Sequence, residues 1–176
     1  TSVSPVREAL IRLVAEDSVE MSSLRAFSVP ILSSSRFSQI LSIRLVLEGL
    51  AVEKATENIT QSEVEELSKL HAKFVGAEAN QERLKAQSLN RRIHFLIYDR
   101  ANMPMLMSSI LNLWAKMGPI LRVYYSERID DTRRAPDHLN LFEALGAKDC
   151  SRAVAAVQAD IIHGCSAIGN YIRELE

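Results

Sequence analysis

Apolar residues recur with helical spacing from Ser33 to the end of the chain. Ile40, Leu47 and Ala51 share one face of a first helix that runs from the polar residues 33–35 to about Asn58. Further apolar stripes follow, and the six predicted helices begin near Ser33, Thr60, Gln81, Pro104, Pro136 and Asp149. Residues 33–176 are therefore predicted to form an all-α, six-helix antiparallel bundle, and its ~140 residues suffice to bury a core.

Local signals mark several helix ends. Thr60 and Glu63 have the spacing of a capping box, in which a hydroxyl and a carboxylate exchange hydrogen bonds with backbone amides. Gly146 is expected to end the fifth helix and Asp149 to cap the sixth. Gly118-Pro119 lies inside the fourth helix, where the proline ring blocks a backbone hydrogen bond, so a kink is expected.

The first 32 residues follow a different pattern. Ser4-Pro5 is a helix start, with serine as the cap and proline at the first helical position. An amphipathic helix follows, and then two β-prone pieces at residues 19–21 and 27–29. A helix followed by a hairpin is typical of the second half of a winged helix-turn-helix. Residues 1–32 are therefore predicted to be a partial winged DNA-binding domain, the alternative being a lid over a dimer.

The segment Ser4-Pro5-Val6-Arg7-Glu8-Ala9-Leu10, followed by Arg25-Ala26-Phe27-Ser28-Val29, resembles the recognition helix and wing of the GntR family of bacterial transcription regulators. The resemblance implies that the helix enters the major groove of operator DNA and that Ser4, Arg7 and Arg25 contact the DNA. Ala26 stands where the family usually has glycine, so the wing turn is expected to be reshaped. No room precedes this segment for the two other helices of a winged domain, so the domain is expected to be incomplete.

The predicted helical bundle is similar to the FadR-type effector domain of the same family, known as the FCD domain. Its length favours the shorter, VanR-like branch. The two resemblances together cover nearly the whole chain, with residues 33–176 as the effector-binding and dimerisation domain.

Composition adds little positive charge to the proposed DNA reader. The formal net charge is -1, and residues 1–30 hold three arginines against four acidic residues, Glu8, Glu16, Asp17 and Glu20. DNA affinity would therefore need the upstream segment or two readers on one dimer. A hydrophobic content of 47% excludes a disordered chain. There is no apolar run of membrane-spanning length. No signal peptide is expected, and Cys150 and Cys165 are expected to be reduced thiols in a cytoplasmic protein.

Four side chains from three predicted helices point toward a common core. Asn90 and His94 are spaced i, i+4 on the third helix, His138 shares a face with apolar residues of the fifth, and Asp160 does so on the sixth. Imidazole nitrogens with carboxylate and amide oxygens form a ligand set for Zn²⁺, Ni²⁺ or Mn²⁺. The alternative is that the histidines are ordinary core residues.

The family resemblance favours the metal. Many FCD domains bind a divalent metal with an aspartate and three histidines, and the pattern maps onto Asn90, His94, His138 and Asp160. This chain has an amide at the family's aspartate position and a carboxylate at its last histidine position, so one negative charge is kept. Zn²⁺ is the expected ion, and His163 is an alternative fourth ligand.

Arg44 lies on the apolar stripe of the first helix, so its guanidinium must find an anion. The candidates are Glu48, one turn along, and Asp160 or the carboxylate of a bound organic acid. In similar domains an arginine at this place faces the effector cavity. Asn102 matches a recurrent family asparagine and is a second effector candidate, or else a helix-end cap. His71 is expected to face solvent and is given no role.

These features predict a bacterial regulator whose helical domain senses a small carboxylate through a metal, and whose homodimer moves paired winged domains on operator DNA. A metal-dependent hydrolase or oxygenase is the alternative. Against a di-iron enzyme, the chain lacks the paired Glu-x-x-His motifs of such bundles. A third possibility is a bundle that has lost its metal.

Overall fold

The computed structural model describes residues 3–23, 26–127 and 136–176. Over these residues the protein is mostly helical, with one two-stranded antiparallel sheet. The elements are α1 (Val3–Ala15), β1 (Glu20–Met21), β2 (Phe27–Ser28), α2 (Ser34–Asn58), α3 (Gln61–Ala79), α4 (Arg83–Asp99), α5 (Pro104–Glu127), α6 (Pro136–Gly146) and α7 (Cys150–Leu175). No helix in this part of the chain has both the length and the apolar content needed to cross a membrane.

The N-terminal helix begins two residues earlier than the sequence pattern predicts, at Val3 and not at Pro5. Because α1 starts at Val3, Ser4 lies inside the helix and is not its cap. The missing N–H of Pro5 is tolerated there because the first-turn amides have no intrahelical acceptor. The predicted hairpin is present, with Met21 paired to Phe27. Arg25 lies outside the described residues.

The caps predicted for the following helices are present. The hydroxyl of Ser33 accepts from the amide of Arg36 at the start of α2, and both halves of the Thr60–Glu63 capping box form at the start of α3. Asp149 caps α7 in the same way, through the amide of Arg152. These bonds join residues three apart, which is why the local sequence predicts them.

One expectation about glycine is modified, and the kink expected at Pro119 stays a prediction. Helix α6 ends at Gly146 as predicted, but the residue in the left-handed region is Lys148, with a φ of 57°. The amides of Lys148 and Asp149 close the helix end by donating to the carbonyls of Leu145 and Ala144. Helix α5 continues through Pro119 as one helix to Glu127.

All six helices from α2 to α7 contribute residues to the core, and α7 packs against both α2 and α6. Gly169 on α7 faces the ring of Phe37 on α2, and a Cβ atom at Gly169 would lie 2.9 Å from Cε1 of Phe37. The missing side chain therefore sets how closely α2 and α7 approach each other.

Gly169→Ala is expected to lower the free energy of unfolding by about 1–3 kcal/mol, because the buried ring must move to admit a methyl group. Gly76→Ala is the matched control, since an added Cβ there meets nothing within 4 Å. The control is expected to gain about 0.5–1 kcal/mol from helix propensity. Urea unfolding measures both, and equal stability of the two variants would contradict the prediction.

Candidate metal centre

Helices α4, α6 and α7 bring His94, His138 and Asp160 together. Nε2 of His94 lies 3.0 Å from Oδ2 of Asp160, and Nε2 of His138 lies 3.6 Å from Oδ1 of the same carboxylate. Each of the three residues offers one possible ligand atom, and these three atoms all lie within 4.8 Å of one another. Both histidines are buried and Asp160 is half-buried. Three of the four residues predicted as metal ligands therefore converge on one point.

The hydrogen bonds behind His94 determine which of its nitrogens carries a proton. Nδ1 of His94 lies 3.0 Å from Oη of Tyr98, and that hydroxyl donates to Oε2 of Glu48 at 2.5 Å. Burial, together with the Glu48 charge, raises the pKa of Tyr98 well above its usual value, so Tyr98 keeps its single proton. Because the Tyr98 hydroxyl uses its proton in the hydrogen bond to Glu48, the tyrosine oxygen must accept a hydrogen bond from Nδ1–H of His94. The neutral imidazole then presents the lone pair of Nε2 to Asp160.

This arrangement fits a divalent metal. A lone pair facing a carboxylate at 3.0 Å is repulsive unless a cation lies between them or the imidazole is protonated. Bonds from Zn²⁺ to nitrogen and oxygen are about 2.0–2.2 Å long, so two ligand atoms on one tetrahedral ion lie roughly 3.4 Å apart. The two distances to Asp160 match that spacing. His94, His138 and Asp160 are therefore the residues that can hold the metal.

Asn90 and His163 lie beside this group. Asn90, one turn before His94 on α4, is half-buried and lines the same cavity. His163 also lines the cavity, but it is exposed on α7 and is outside the compact group of ligand atoms found among the described residues. Of the two predicted fourth ligands, Asn90 is the more buried.

His71 is not solvent-facing, so that expectation is wrong. Its side chain is buried on α3, and its Nδ1 lies 3.3 Å from Nδ1 of His138. Burial lowers the pKa of His71, while the charge of Asp160 acts in the opposite direction. The signal was present in the sequence, because His71 follows Leu67 by four residues and precedes Phe74 by three, which places it on the apolar stripe of α3.

Arg44 takes Glu48 as its anion. Its Nε donates to Oε1 of Glu48 at 2.5 Å and its Nη2 donates to Oε2 at 3.3 Å. Burial alone would lower the pKa of Arg44, but the Glu48 carboxylate outweighs it and the pKa is raised. Trp114 completes the cluster, since its Nε1 donates to Oε1 of Glu48 at 3.1 Å and its ring lies 4.7 Å from Cζ of Arg44. The bidentate pairing through which Arg44 could bind the carboxylate of an effector is therefore made with Glu48.

A cavity of about 70 Å³, measured as space open to the centre of a water molecule, adjoins the candidate ligands. Roughly 10–15 Å³ on this measure holds one water, so the space suits a small molecule. Its lining includes the polar residues Asn90, His94 and Asp160 and the less polar Trp114 and Cys165.

Asn102 lies away from this cavity. It is exposed in the turn between α4 and α5 with a φ of 54°, and its amide donates to the carbonyl of Asp99 at 3.2 Å. Asparagine tolerates this left-handed conformation better than most residues. Of its two predicted roles, the geometry matches the helix-end role.

Comparison with known proteins places these features in a family. The FCD domain model matches residues 39–163. The HTH-type transcriptional regulator McbR of Escherichia coli (strain K12) is 36% identical over 163 residues, which cover 89% of this chain and 73% of McbR. The solved structure of E. coli McbR/YncC has a TM-score of 0.89 at 31% identity, covering 97% of this chain and 86% of that one.

A GntR family regulator from Pseudomonas syringae pv. tomato str. DC3000 shares the fold, with a TM-score of 0.64 at 22% identity over 99% of this chain and 73% of that one. These relatives are named as transcription regulators and not as enzymes. The chain therefore belongs to the GntR family of transcription regulators and carries the FCD effector domain of that family.

Proposed function

We propose that this protein is a ligand-responsive regulator of the VanR-like branch, in which a metal and a small organic acid bind the FCD domain of a homodimer and change how its winged domains contact operator DNA. The observation that carries the proposal is the buried convergence of His94, His138 and Asp160 beside a small cavity in an FCD domain. Histidines that serve only as hydrogen-bonded core residues would not require a half-buried carboxylate beside them at the wall of a cavity.

The proposed metal ligands are His94, His138 and Asp160, with Asn90 as the fourth and His163 as the alternative to it. Zn²⁺ is the ion that this nitrogen and oxygen set favours, and Ni²⁺ or Mn²⁺ can use the same donors. When bound, the ion supplies a positive charge that can attract an oxygen of the effector. Its role is to hold the ligand, and no chemical reaction is assigned to it.

Charge in the cavity explains why the effector needs the metal. Glu48 neutralises Arg44, and Asp160 brings a negative charge to the wall of the cavity. A carboxylate entering a metal-free cavity would therefore meet a negative charge, whereas a divalent cation reverses the sign. Nη1 of Arg44 can donate to the effector, because the bonds to Glu48 use Nε and Nη2, and Nη1 itself lies 3.6 Å from the weak acceptor Sγ of Cys165. The effector is accordingly a small acid bound by the metal and by one N–H of Arg44.

The DNA reader is α1 with the hairpin of β1 and β2, as part of a winged domain. Arg7 is exposed on α1 and is the described residue best suited to a DNA contact, while Ser4 and Arg25 keep their roles from the family resemblance. The reader touches the bundle where Nη2 of Arg36 donates to the carbonyl of Asp17 at 3.2 Å and Nζ of Lys116 lies 3.7 Å from the Asp17 carboxylate. Lys116 stands on α5 between the cavity residues Trp114 and Met117, so this contact offers a route from the effector to the reader. Two readers on one dimer would address paired half-sites.

Arg7→Ala in the intact gene product is expected to weaken binding to a fragment of its own promoter by about 10- to 100-fold, the effect of losing one direct DNA contact. A gel shift at low salt measures the affinity. Arg152→Ala on α7 is the control, because that exposed arginine pairs with Glu143 within the bundle. No shift by the wild type, or equal affinity of the Arg7→Ala variant and the control, would contradict the assignment of α1 as the DNA reader.

A further inference from the structure

We propose that His71 is a positioning residue for the metal centre: it accepts the Nδ1–H of His138 and thereby holds the Nε2 lone pair of His138 toward the ion. The inference rests on the metal in the proposed function and adds a residue that binds neither metal nor effector.

The geometry of the histidine pair supports this role. The two Nδ1 atoms are 3.3 Å apart, so one ring donates and the other accepts. On the opposite side of its ring, His138 directs Nε2 at Asp160, 3.6 Å away. A neutral imidazole that offers Nε2 to a metal carries its proton on Nδ1. The Nδ1–H of His138 must then donate a hydrogen bond to the unprotonated Nδ1 of His71.

Aromatic packing holds both rings in this orientation. The His71 ring stacks on Phe74 with centroids 5.9 Å apart, and it meets Phe142 edge-on at 5.8 Å. The His138 ring lies nearly parallel to Phe142, at 11°. Phe142 thus sets the plane of the His138 ring, while His71 selects which nitrogen carries the proton.

The other proposed histidine ligand, His94, also has a hydrogen-bond partner on its Nδ1, which is Tyr98. Nδ1 of His94 donates to Tyr98, whose own proton goes to Glu48. Each imidazole therefore has a partner on Nδ1 and faces Asp160 through Nε2. Such partners fix the tautomer of a ligand, and their loss typically reduces metal affinity by about 10- to 100-fold.

The test combines three variants with Zn²⁺ as the probe and chelator competition as the measurement. His71→Leu keeps apolar volume and removes the acceptor, and it is expected to lower Zn²⁺ affinity by about 10- to 100-fold. His71→Asn can place an oxygen near the former Nδ1 and is expected to retain affinity within about threefold, a smaller change than the ~10- to 100-fold loss expected without an acceptor. Phe74→Leu is the packing control, because it loses ring contacts to His71 and His138 without losing a hydrogen bond. Equal affinities of His71→Leu and the wild type would overturn the proposal.

A second measurement does not depend on metal loading or on the folding of a variant. In the zinc-free wild type with ¹⁵N-labelled histidine at pH 8, long-range ¹H–¹⁵N NMR spectra are expected to show His138 protonated at Nδ1 and His71 at Nε2. The reverse assignment would overturn the role of His71. If the wild type binds no Zn²⁺, the metal part of the proposed function fails, and the tautomers alone then decide whether His71 orients His138.

Discussion

Arg44→Met is expected to destabilise the protein by about 3–5 kcal/mol, because it leaves the Glu48 carboxylate buried without its cation. The side chain of Glu48 is 0% exposed, so water cannot replace the lost guanidinium without opening the core. The remaining donors to Glu48, Tyr98 and Trp114, are neutral and offset only part of the charge.

The double variant Arg44→Met, Glu48→Leu is expected to lose less stability than the sum of the two single variants, since removing both charges leaves no buried ion. Lys54→Met is the surface control. Lys54 pairs with Glu57 at 3.0 Å on the same helix, but its side chain is partly exposed to solvent, and such pairs contribute about 0–1 kcal/mol. Urea unfolding measures the stability of these four variants relative to the wild type. If Arg44→Met loses no more stability than Lys54→Met while losing effector affinity, Arg44 is a ligand-binding residue and not a structural one.

His94→Ala is expected to abolish Zn²⁺ binding together with the stabilisation that the ion provides. A ligand present at 1,000 times its dissociation constant stabilises the native state by about 4 kcal/mol, and this linkage is lost when the site is lost. Thermal unfolding with Zn²⁺ and with a chelator measures the difference. The wild type should unfold at a higher temperature with Zn²⁺, and His94→Ala should unfold at the same temperature in both.

Two further variants identify the fourth ligand. If Asn90 fills that position, Asn90→Ala weakens Zn²⁺ binding while His163→Ala does not, and the opposite result would assign the position to His163.

Zn²⁺ binding should also weaken as the pH falls, because coordination requires neutral imidazoles. A small organic acid should stabilise the zinc-loaded wild type but not the metal-free protein, since the acid would then meet the negative charge of Asp160. Equal metal content in the wild type and His94→Ala would exclude this site.

Local sequence was sufficient for features that depend on neighbours along the chain. The capping box at Thr60, the cap at Asp149 and the end of α6 at Gly146 each involve residues within a few positions of one another. The N-terminal cap was misplaced because Pro5 is acceptable at more than one position of a first turn, so α1 could extend back to Val3.

The candidate site was partly readable for a similar reason. Helical periodicity placed His94, His138 and Asp160 on inward faces, and inward faces of one bundle converge. Periodicity could not say which atoms meet, because that depends on how α4, α6 and α7 are rotated and spaced. His71 was predicted to face solvent, although its spacing from Leu67 and Phe74 places it on the apolar stripe of α3, and its side chain is buried.

The sequence by itself determined the family, the helical order and the types of side chain available to a metal, because motif and periodicity are properties of the chain alone. Only the tertiary structure decided that Arg44 pairs with Glu48, that Asn102 stands away from the cavity and that His71 lies against His138. The physical reason is that a buried charge or proton donor takes the partner that packing brings within hydrogen-bond distance. His71 and His138 are 67 residues apart in the chain, beyond the range of any local pattern.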